Sequence, residues 1–289
     1  MEFRGGAGGR PPFWPILVGV CCLALSLLAS LWGSALAAEP TAVCKPGVVR
    51  RDGRFTPVSW TPVSAPVPEG SSVRLRYLAH SSFLVTDPGG GRALMDPYAT
   101  PTVTPLPDAV TVSNFHETHS QTGPYEGKTT VLYGVTAEGR PNPIDRTFRG
   151  LRVAAFPQVG GEGGNPFVVN TIFVFQSAGI CIAHFGNARF GPSMDQIRSL
   201  GKIHVLLIPI DGSFTVPHEI AAKVVKRIGP NIVIPMHYFG PELPVQFGAA
   251  LRAEGIDKMV RPPSDEIVLS SRRLPPPTVY MVMPNAEIP

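Results

Sequence analysis

Two histidines three residues apart, His116 and His119, follow a short apolar run in the middle of the chain. The run, at residues 109–112, has the length and the β-branched content of a buried strand, and the polar residues after it indicate a loop. Loops held in place by rigid strands are where binding and catalytic groups concentrate. Two imidazoles at this spacing can bind one metal ion together, or they can be two unrelated loop histidines.

The ends of two further apolar runs carry polar side chains that could join these histidines. Asn187 follows the run at 180–183, and His237 follows the run at 232–234. Because the ends of neighbouring buried strands meet at one edge of a sheet, we expect these groups to lie near each other. The sequence therefore predicts a metal or substrate site at that edge.

The segments that must position these groups change in character along the chain. The first half is mostly strand-like, with a β-meander predicted over residues 74–95. The second half alternates helix and strand, and apolar residues recur at helical spacing in residues 194–200 and 220–228. This order predicts an α/β protein in which two sheets are covered by helices, a four-layer αββα sandwich.

The N-terminal 37 residues have the features of a signal peptide. Arg4 and Arg10 precede the apolar stretch 13–32, and Ala35-Leu36-Ala37 fits a cleavage site. The stretch is also long enough to span a bilayer, so an uncleaved N-terminal membrane anchor is the alternative. Either interpretation predicts an exported protein, periplasmic or extracellular, and the second adds a membrane tether through residues 13–32.

Composition divides and limits the rest of the chain. Residues 38–71 are rich in Pro, Ser, Thr and Val and predict an extended arm, with the folded domain at 72–289. A net charge of +4 with no basic block argues against nucleic acid as a partner. Export permits a disulfide between Cys44 and Cys181. We favour two unpaired thiols, because Cys181 lies in an apolar strand-like run and Cys44 lies in the Pro-rich arm.

Between about Leu75 and Tyr238, a series of short motifs resembles the metallo-β-lactamase superfamily, in its branch of ascorbate-phosphate lactonase-like hydrolases. Each motif is weak alone, but all occur in order and at the right intervals. The resemblance implies the αββα fold and a hydrolase that uses two Zn²⁺ ions, sometimes one. The matching segments are Tyr77-Leu78-Ala79-His80-Ser81-Ser82-Phe83, Met95-Asp96-Pro97, Asp108-Ala109-Val110, His184-Phe185-Gly186-Asn187, Leu207-Ile208-Pro209-Ile210 and Ile234-Pro235-Met236-His237-Tyr238.

The chain departs from the family's metal-binding pattern at specific positions. Asn114 stands at the first histidine of the His-x-His-x-Asp-His signature, and Thr118 stands at its aspartate. Asn187 replaces the aspartate of His-x-Gly-Asp that bridges the two metals in the family. A further family histidine falls near Gln158. Both carboxylates are replaced by neutral side chains, so we do not expect a dinuclear site.

The resemblance leaves three histidines in register with family ligands. His116 matches a ligand of the first metal, and His119 and His237 match ligands of the second. We therefore predict one Zn²⁺ or another divalent metal bound by these three, with Asn114 and Asn187 as neutral supports; an empty pocket is the alternative. His80 is predicted to be a turn or supporting residue, and His184 is predicted to be structural.

Three functions from different classes remain open on this pattern. The first is an exported hydrolase that acts on a lactone, an ester or a phosphorylated small molecule through a reduced metal site. The second is a catalytically inactive binding protein of the cell envelope that has kept the fold. A third is a scaffold whose Pro-rich arm contacts a partner. The three retained histidines favour the hydrolase, whereas the two lost carboxylates favour the binding protein.

Overall fold

A computed structural model describes Cys44, residues 72–160 and residues 167–284, all of which belong to one structural unit. The predicted signal peptide or anchor, 1–37, and the predicted arm, 38–71, lie outside these residues except for Cys44. Within the described part, no helix has the length and apolar character needed to cross a bilayer.

The strands and helices that the sequence predicts form in the predicted order, and the described chain adds three strands that it does not predict, Asp145–Phe148, Met259–Val260 and Glu266–Leu269. The helices are α1 Met194–Leu200, α2 His218–Ile228 and α3 Glu242–Ala253, and Glu117–His119 forms a single 3-10 turn. The strands are β1 Val73–Ala79, β2 Ser82–Thr86, β3 Arg92–Met95, β4 Ala109–Val112, β5 Thr130–Tyr133, β6 Asp145–Phe148, β7 Leu151–Gly160, β8 Phe167–Ser177, β9 Ile180–His184, β10 Val205–Pro209, β11 Ile232–Met236, β12 Met259–Val260, β13 Glu266–Leu269 and β14 Val279–Met281.

The strands form two mixed sheets. The six-stranded sheet has the order β13-β1-β2-β3-β4-β5, and β3, β4 and β5 run parallel. The eight-stranded sheet has the order β12-β14-β11-β10-β9-β8-β7-β6, and β9, β10 and β11 run parallel. Parallel neighbours place their carboxyl ends at one edge of a sheet, so each sheet gathers the loops after several strands on a single edge.

The main core lies between the sheets and under the helices. Alternation along β2 and β3 sends Phe83 and Met95 into this core, whereas Leu84 and Leu94 join a second, smaller cluster on the opposite face. Helix α3 packs on the eight-stranded sheet, where its Phe247 contacts Tyr280 edge to face at a centroid distance of 5.6 Å. The predicted α/β sandwich of two sheets with helices is confirmed.

Two of the four cysteines are bonded to each other. Cys44 and Cys181 form a disulfide across 137 residues of chain. The backbone around Cys44 supports it, since the Cys44 carbonyl accepts a 2.8 Å hydrogen bond from the N–H of Lys202. Our interpretation of two unpaired thiols was therefore wrong. That interpretation depended on the residues next to each cysteine in the sequence. Those residues carry no information on a contact made across 137 residues.

Candidate metal centre

Three buried histidines converge where the two sheets meet. One ring nitrogen from each of His80, His119 and His237 lies within 4.8 Å of the other two. The rings of His80 and His237 are 4.1 Å apart between centroids, and those of His119 and His237 are 5.1 Å apart. Burial, together with the neighbouring histidines, lowers the pKa of His80 to about 3, so its ring is neutral at physiological pH.

His119 is held so that one nitrogen is free. The single 3-10 turn after β4 carries this residue, and its side chain is completely buried. Its Nδ1 lies 2.7 Å from Oδ2 of Asp96. Since burial lowers the pKa of His119 and a carboxylate only accepts, Nδ1 carries the proton. Nε2 has no hydrogen-bond partner among the described residues, so its lone pair is then available to a metal ion.

Asp96, the first residue after β3, is the buried anion behind His119. Its carboxylate accepts hydrogen bonds from the N–H of Ser113 at 2.8 Å and from the Oγ of Ser113 at 2.5 Å. Burial alone would raise the pKa of Asp96, but His184, His119 and Ser113 hold it below its usual range. The carboxylate therefore stays ionised inside the protein, where it fixes the orientation of the His119 ring.

His237 has a second carboxylate behind it. Its Nδ1 lies 2.7 Å from Oδ2 of Asp211, which is an ion-pair distance. The other oxygen of Asp211 accepts from the N–H groups of Ser213 at 2.8 Å and Phe214 at 2.6 Å. Burial would raise the pKa of Asp211, but His237 and these N–H groups lower it well below its usual range. Asp211 is thus a fixed negative charge beside His237.

His80 occupies the turn between β1 and β2. Among the residues that the structure describes, neither of its ring nitrogens has a hydrogen-bond partner, although the side chain is buried. Its carbonyl accepts a 3.1 Å hydrogen bond from the N–H of His237, which ties the turn to the end of β11. His80, Asp96 and His237 all have positive φ, at 50°, 39° and 58°. Such backbone is costly for a residue with a side chain, and it concentrates at functional sites.

The donor set fits one divalent cation. Three imidazoles with free, buried nitrogens are a ligand set that zinc accepts. Asp96 and Asp211 place two negative charges directly behind His119 and His237, which is enough to balance one divalent cation.

The structure does not bring the predicted ligand His116 into this cluster. Its side chain is exposed and turns back on its own loop, where Nδ1 lies 2.9 Å from the Oγ1 of Thr118 and caps the 3-10 turn. Its ring centroid is 6.4 Å from that of His119. The amide oxygen of Asn114 accepts from the N–H of His116 at 3.0 Å, so it too serves the local turn.

Asn187 and Gln158 belong to a buried network of amides beside the cluster. The N–H of Asn187 donates to Oδ1 of Asn170 at 3.0 Å, and Nδ2 of Asn170 donates to Oε1 of Gln158 at 2.7 Å. This network supplies hydrogen bonds and no charge. By the resemblance to the metallo-β-lactamase superfamily, metal ligands are expected at Asn187 and near Gln158. The Oδ1 of Asn187 has no hydrogen-bond partner, and its contact with a metal stays a prediction.

His184, at the end of β9, is hydrogen-bonded to the turn that carries His80. Its Nε2 lies 2.8 Å from the carbonyl of Ser81, which can only accept, so this nitrogen carries the proton. Its Nδ1 then accepts from the N–H of Gly186 at 3.2 Å. Both nitrogens are used, and His184 is a structural histidine rather than a ligand.

Gly186 should be intolerant of a side chain. Its φ is +55°, and a Cβ built there would lie 2.3 Å from the Cβ of Ser113 and 2.7 Å from Oδ1 of Asn170. We expect Gly186→Ala to lower the free energy of unfolding by about 2–3 kcal/mol, measured by urea denaturation. Gly123→Ala, where a Cβ meets nothing within 4 Å, is the matched control and should change it by less than about 0.5 kcal/mol. Equal effects of the two substitutions would refute this packing.

Sequence reasoning found two of the three converging histidines and missed their supports. The sequence predicts His80 as a turn or supporting residue, includes Asp96 only within the matching segment Met95-Asp96-Pro97, and indicates no role for Asp211. Each of them stands at the end of a strand and borders an apolar run, which was the signal used for His237. Applying that signal to every strand end would have added these three residues to the candidates.

Comparison with known proteins places these observations in context. The family model of the Beta-lactamase superfamily domain matches residues 74–237. A UPF0173 metal-dependent hydrolase of Thermococcus onnurineus is 26% identical over 198 residues, which cover 57% of this chain and 84% of that protein. Another from Methanoculleus marisnigri is 28% identical over 183 residues, covering 57% of this chain and 81% of the relative.

Two solved structures have a similar fold. A metallo-β-lactamase superfamily protein of Thermotoga maritima superposes with a TM-score of 0.54 at 22% identity, covering 73% of this chain and 99% of the other. Igni18, a metallo hydrolase of Ignicoccus hospitalis, superposes with a TM-score of 0.52 at 21% identity, covering 69% of this chain and 99% of the other. At these identities the likeness concerns the fold alone.

Proposed function

Because this chain belongs to the beta-lactamase superfamily, we propose that it is a metal-dependent hydrolase that holds one divalent cation, Zn²⁺ in the first instance, on His80, His119 and His237. The observation that carries the proposal is the convergence of three buried imidazoles whose free nitrogens lack any hydrogen-bond partner in the described part of the chain. Buried polar atoms in native proteins are almost always satisfied, so three orphans facing each other indicate a missing common partner. The relatives named as metal-dependent hydrolases support the same function.

The protein's own groups prepare this site in three ways. Asp96 fixes the His119 ring with Nε2 directed into the cluster, and Asp211 places a negative charge beside Nδ1 of His237. The low pKa of His80 keeps its ring neutral and therefore able to bind a cation. A bound divalent cation supplies Lewis-acid chemistry, which polarises the bond to be cut and acidifies water.

The proposed substrate is a lactone, an ester or a phosphorylated small molecule, and the proposed location is outside the cytoplasm. The Cys44–Cys181 disulfide supports export, because such bonds persist in oxidising compartments. The apolar stretch at 13–32 supports either a cleaved signal or a membrane tether.

Metal analysis of the protein purified without chelators tests the proposal. We expect about one equivalent of a divalent metal per chain, and His237→Ala should abolish its binding because the remaining ligand set is incomplete. The matched control is His116→Ala. It removes an exposed histidine from the loop that carries His119 and should leave the metal content unchanged.

Less than a tenth of an equivalent of zinc, iron or manganese would refute the single-metal site. Loss of metal in His116→Ala but not in His80→Ala would show that the ligands are His116, His119 and His237, as the sequence predicts. Full metal content without hydrolysis of any lactone, ester or phosphate ester would favour the binding protein of the cell envelope.

A further inference from the structure

The exposed phenylalanines of the described chain are confined to four loops. Phe115, Phe190, Phe214 and Phe239 have exposed fractions of 52%, 38%, 76% and 52%. Every other phenylalanine side chain that the structure describes is buried or half-buried. Single exposed apolar residues are ordinary, but a set of large ones gathered around a site indicates contact with an apolar partner.

The four loops surround the histidine cluster. Phe190, Phe214 and Phe239 follow β9, β10 and β11, which are parallel neighbours and end at one edge of their sheet. Phe115 follows β4, whose end meets the eight-stranded sheet through the 3.0 Å hydrogen bond from the N–H of Thr171 to the carbonyl of Ser113. The ring of Phe239 stacks on His80 at a centroid distance of 5.0 Å. We call these four side chains the phenylalanine rim.

The rim carries little charge that a ligand could use. In the described loops that hold it, at 113–120, 185–193, 210–217 and 237–241, the only cationic side chain of Lys or Arg type is Arg189. The exposed carboxylate of Glu117 opposes it in sign, and Asp211 is already committed to His237. Proteins bind phosphate groups with clusters of Arg or Lys, so this composition disfavours phosphorylated substrates and favours uncharged ones.

We propose, on the basis of the hydrolase function above, that the substrate is an uncharged ester or lactone with an apolar chain, and that the chain lies on the phenylalanine rim while the acyl carbon reaches the histidine cluster. Hydrolysis adds one water across the acyl C–O bond. The acyl carbon gains the hydroxyl, and the departing oxygen gains the proton. Phe115, Phe190 and Phe214 thus determine chain length, and the histidines determine the bond that is cut.

Binding of an uncharged fluorescent probe, N-phenyl-1-naphthylamine, tests the rim without any reaction. We expect the full chain to bind the probe, 1-decanol to displace it, and the double variant Phe115→Ser/Phe214→Ser to bind it at least about tenfold more weakly. The matched control is Met259→Ser on β12, where a side chain with a similar exposed fraction of 54% lies on another element. It should bind the probe as the original chain does, and all variants should keep the original melting temperature.

Two further measurements separate this inference from the hydrolase function. Probe binding should persist in His237→Ala, and the metal-loaded protein should cleave 4-nitrophenyl octanoate with a kcat/KM at least about tenfold above that for 4-nitrophenyl acetate.

If the rim variant loses the probe but no ester is cleaved by the original chain, the rim is supported and the hydrolase function fails. Equal kcat/KM values for both esters, or unchanged probe binding in the rim variant, would overturn the rim as the chain-binding surface. Cosedimentation with phosphatidylcholine vesicles that requires the same phenylalanines, without binding of the soluble probe, would assign the rim to a membrane surface instead.

Discussion

Asp96→Asn is expected to weaken metal binding by about 10–100-fold and to lower the free energy of unfolding by about 2–3 kcal/mol. The carboxylate makes charge-assisted contacts with His119 and Ser113 while it is fully buried. An amide keeps the shape but loses the charge, so one of the two anions that balance the dication disappears. Equilibrium dialysis against zinc measures the first effect, and urea denaturation of the metal-free protein measures the second.

Asp87→Asn is the matched control for this substitution. Asp87 is also a buried carboxylate, but its partners are Ser177 and the N–H of Gly89, and it lies outside the histidine cluster. We expect Asp87→Asn to lower stability and to leave the zinc affinity within twofold of the original. A zinc affinity unchanged in Asp96→Asn, or lowered equally in both variants, would contradict the supporting role that we give to Asp96.

Removal of the Cys44–Cys181 disulfide should be the largest single change in stability. Its loop of 137 residues restricts the unfolded chain strongly, and the loop-entropy relation gives a loss of about 5 kcal/mol, with about 2–5 kcal/mol as the usual measured range. We expect Cys44→Ser/Cys181→Ser to unfold at a correspondingly lower urea concentration.

The reduced original chain provides the control for this second prediction. Treatment with a thiol reductant should lower its unfolding midpoint to that of the double serine variant, and the reductant should leave the variant unaffected. The metal content should be the same in both, because neither cysteine belongs to the histidine cluster. An unfolding midpoint that does not respond to reductant would show that the bond contributes nothing to stability.

Much of the fold could be predicted because its signals are local. Runs such as Val205–Pro209 and Ile232–Met236 are short, apolar and separated by helical segments, which is the pattern of a parallel sheet. The strands that were missed lack that signal. Asp145–Phe148 is mostly polar and exposed, and Glu266–Leu269 is a four-residue edge strand that pairs with Val73–Ala79 from the other end of the chain.

The candidate site was only half predictable for a related reason. The spacing of His116 and His119 shows that they share a loop, but it does not show which way each side chain turns. His116 turns to Thr118, whereas His80, 39 positions before His119 in the sequence, points at the cluster. Side-chain direction depends on contacts such as the one between His119 and Asp96, which join residues from different strands.

The position of Cys44 has a consequence for how the protein could leave a membrane. Residues 45–71 connect Cys44 to the first strand, while the disulfide connects the same cysteine to Ile180–His184. A protease that cuts once within 45–71 therefore opens a covalent ring and releases nothing. If residues 13–32 stay in the bilayer, release of the folded part through a cut within 45–71 requires two independent events, proteolysis and reduction of the disulfide. In an oxidising exterior the disulfide would persist, so the cut protein would stay attached to the membrane.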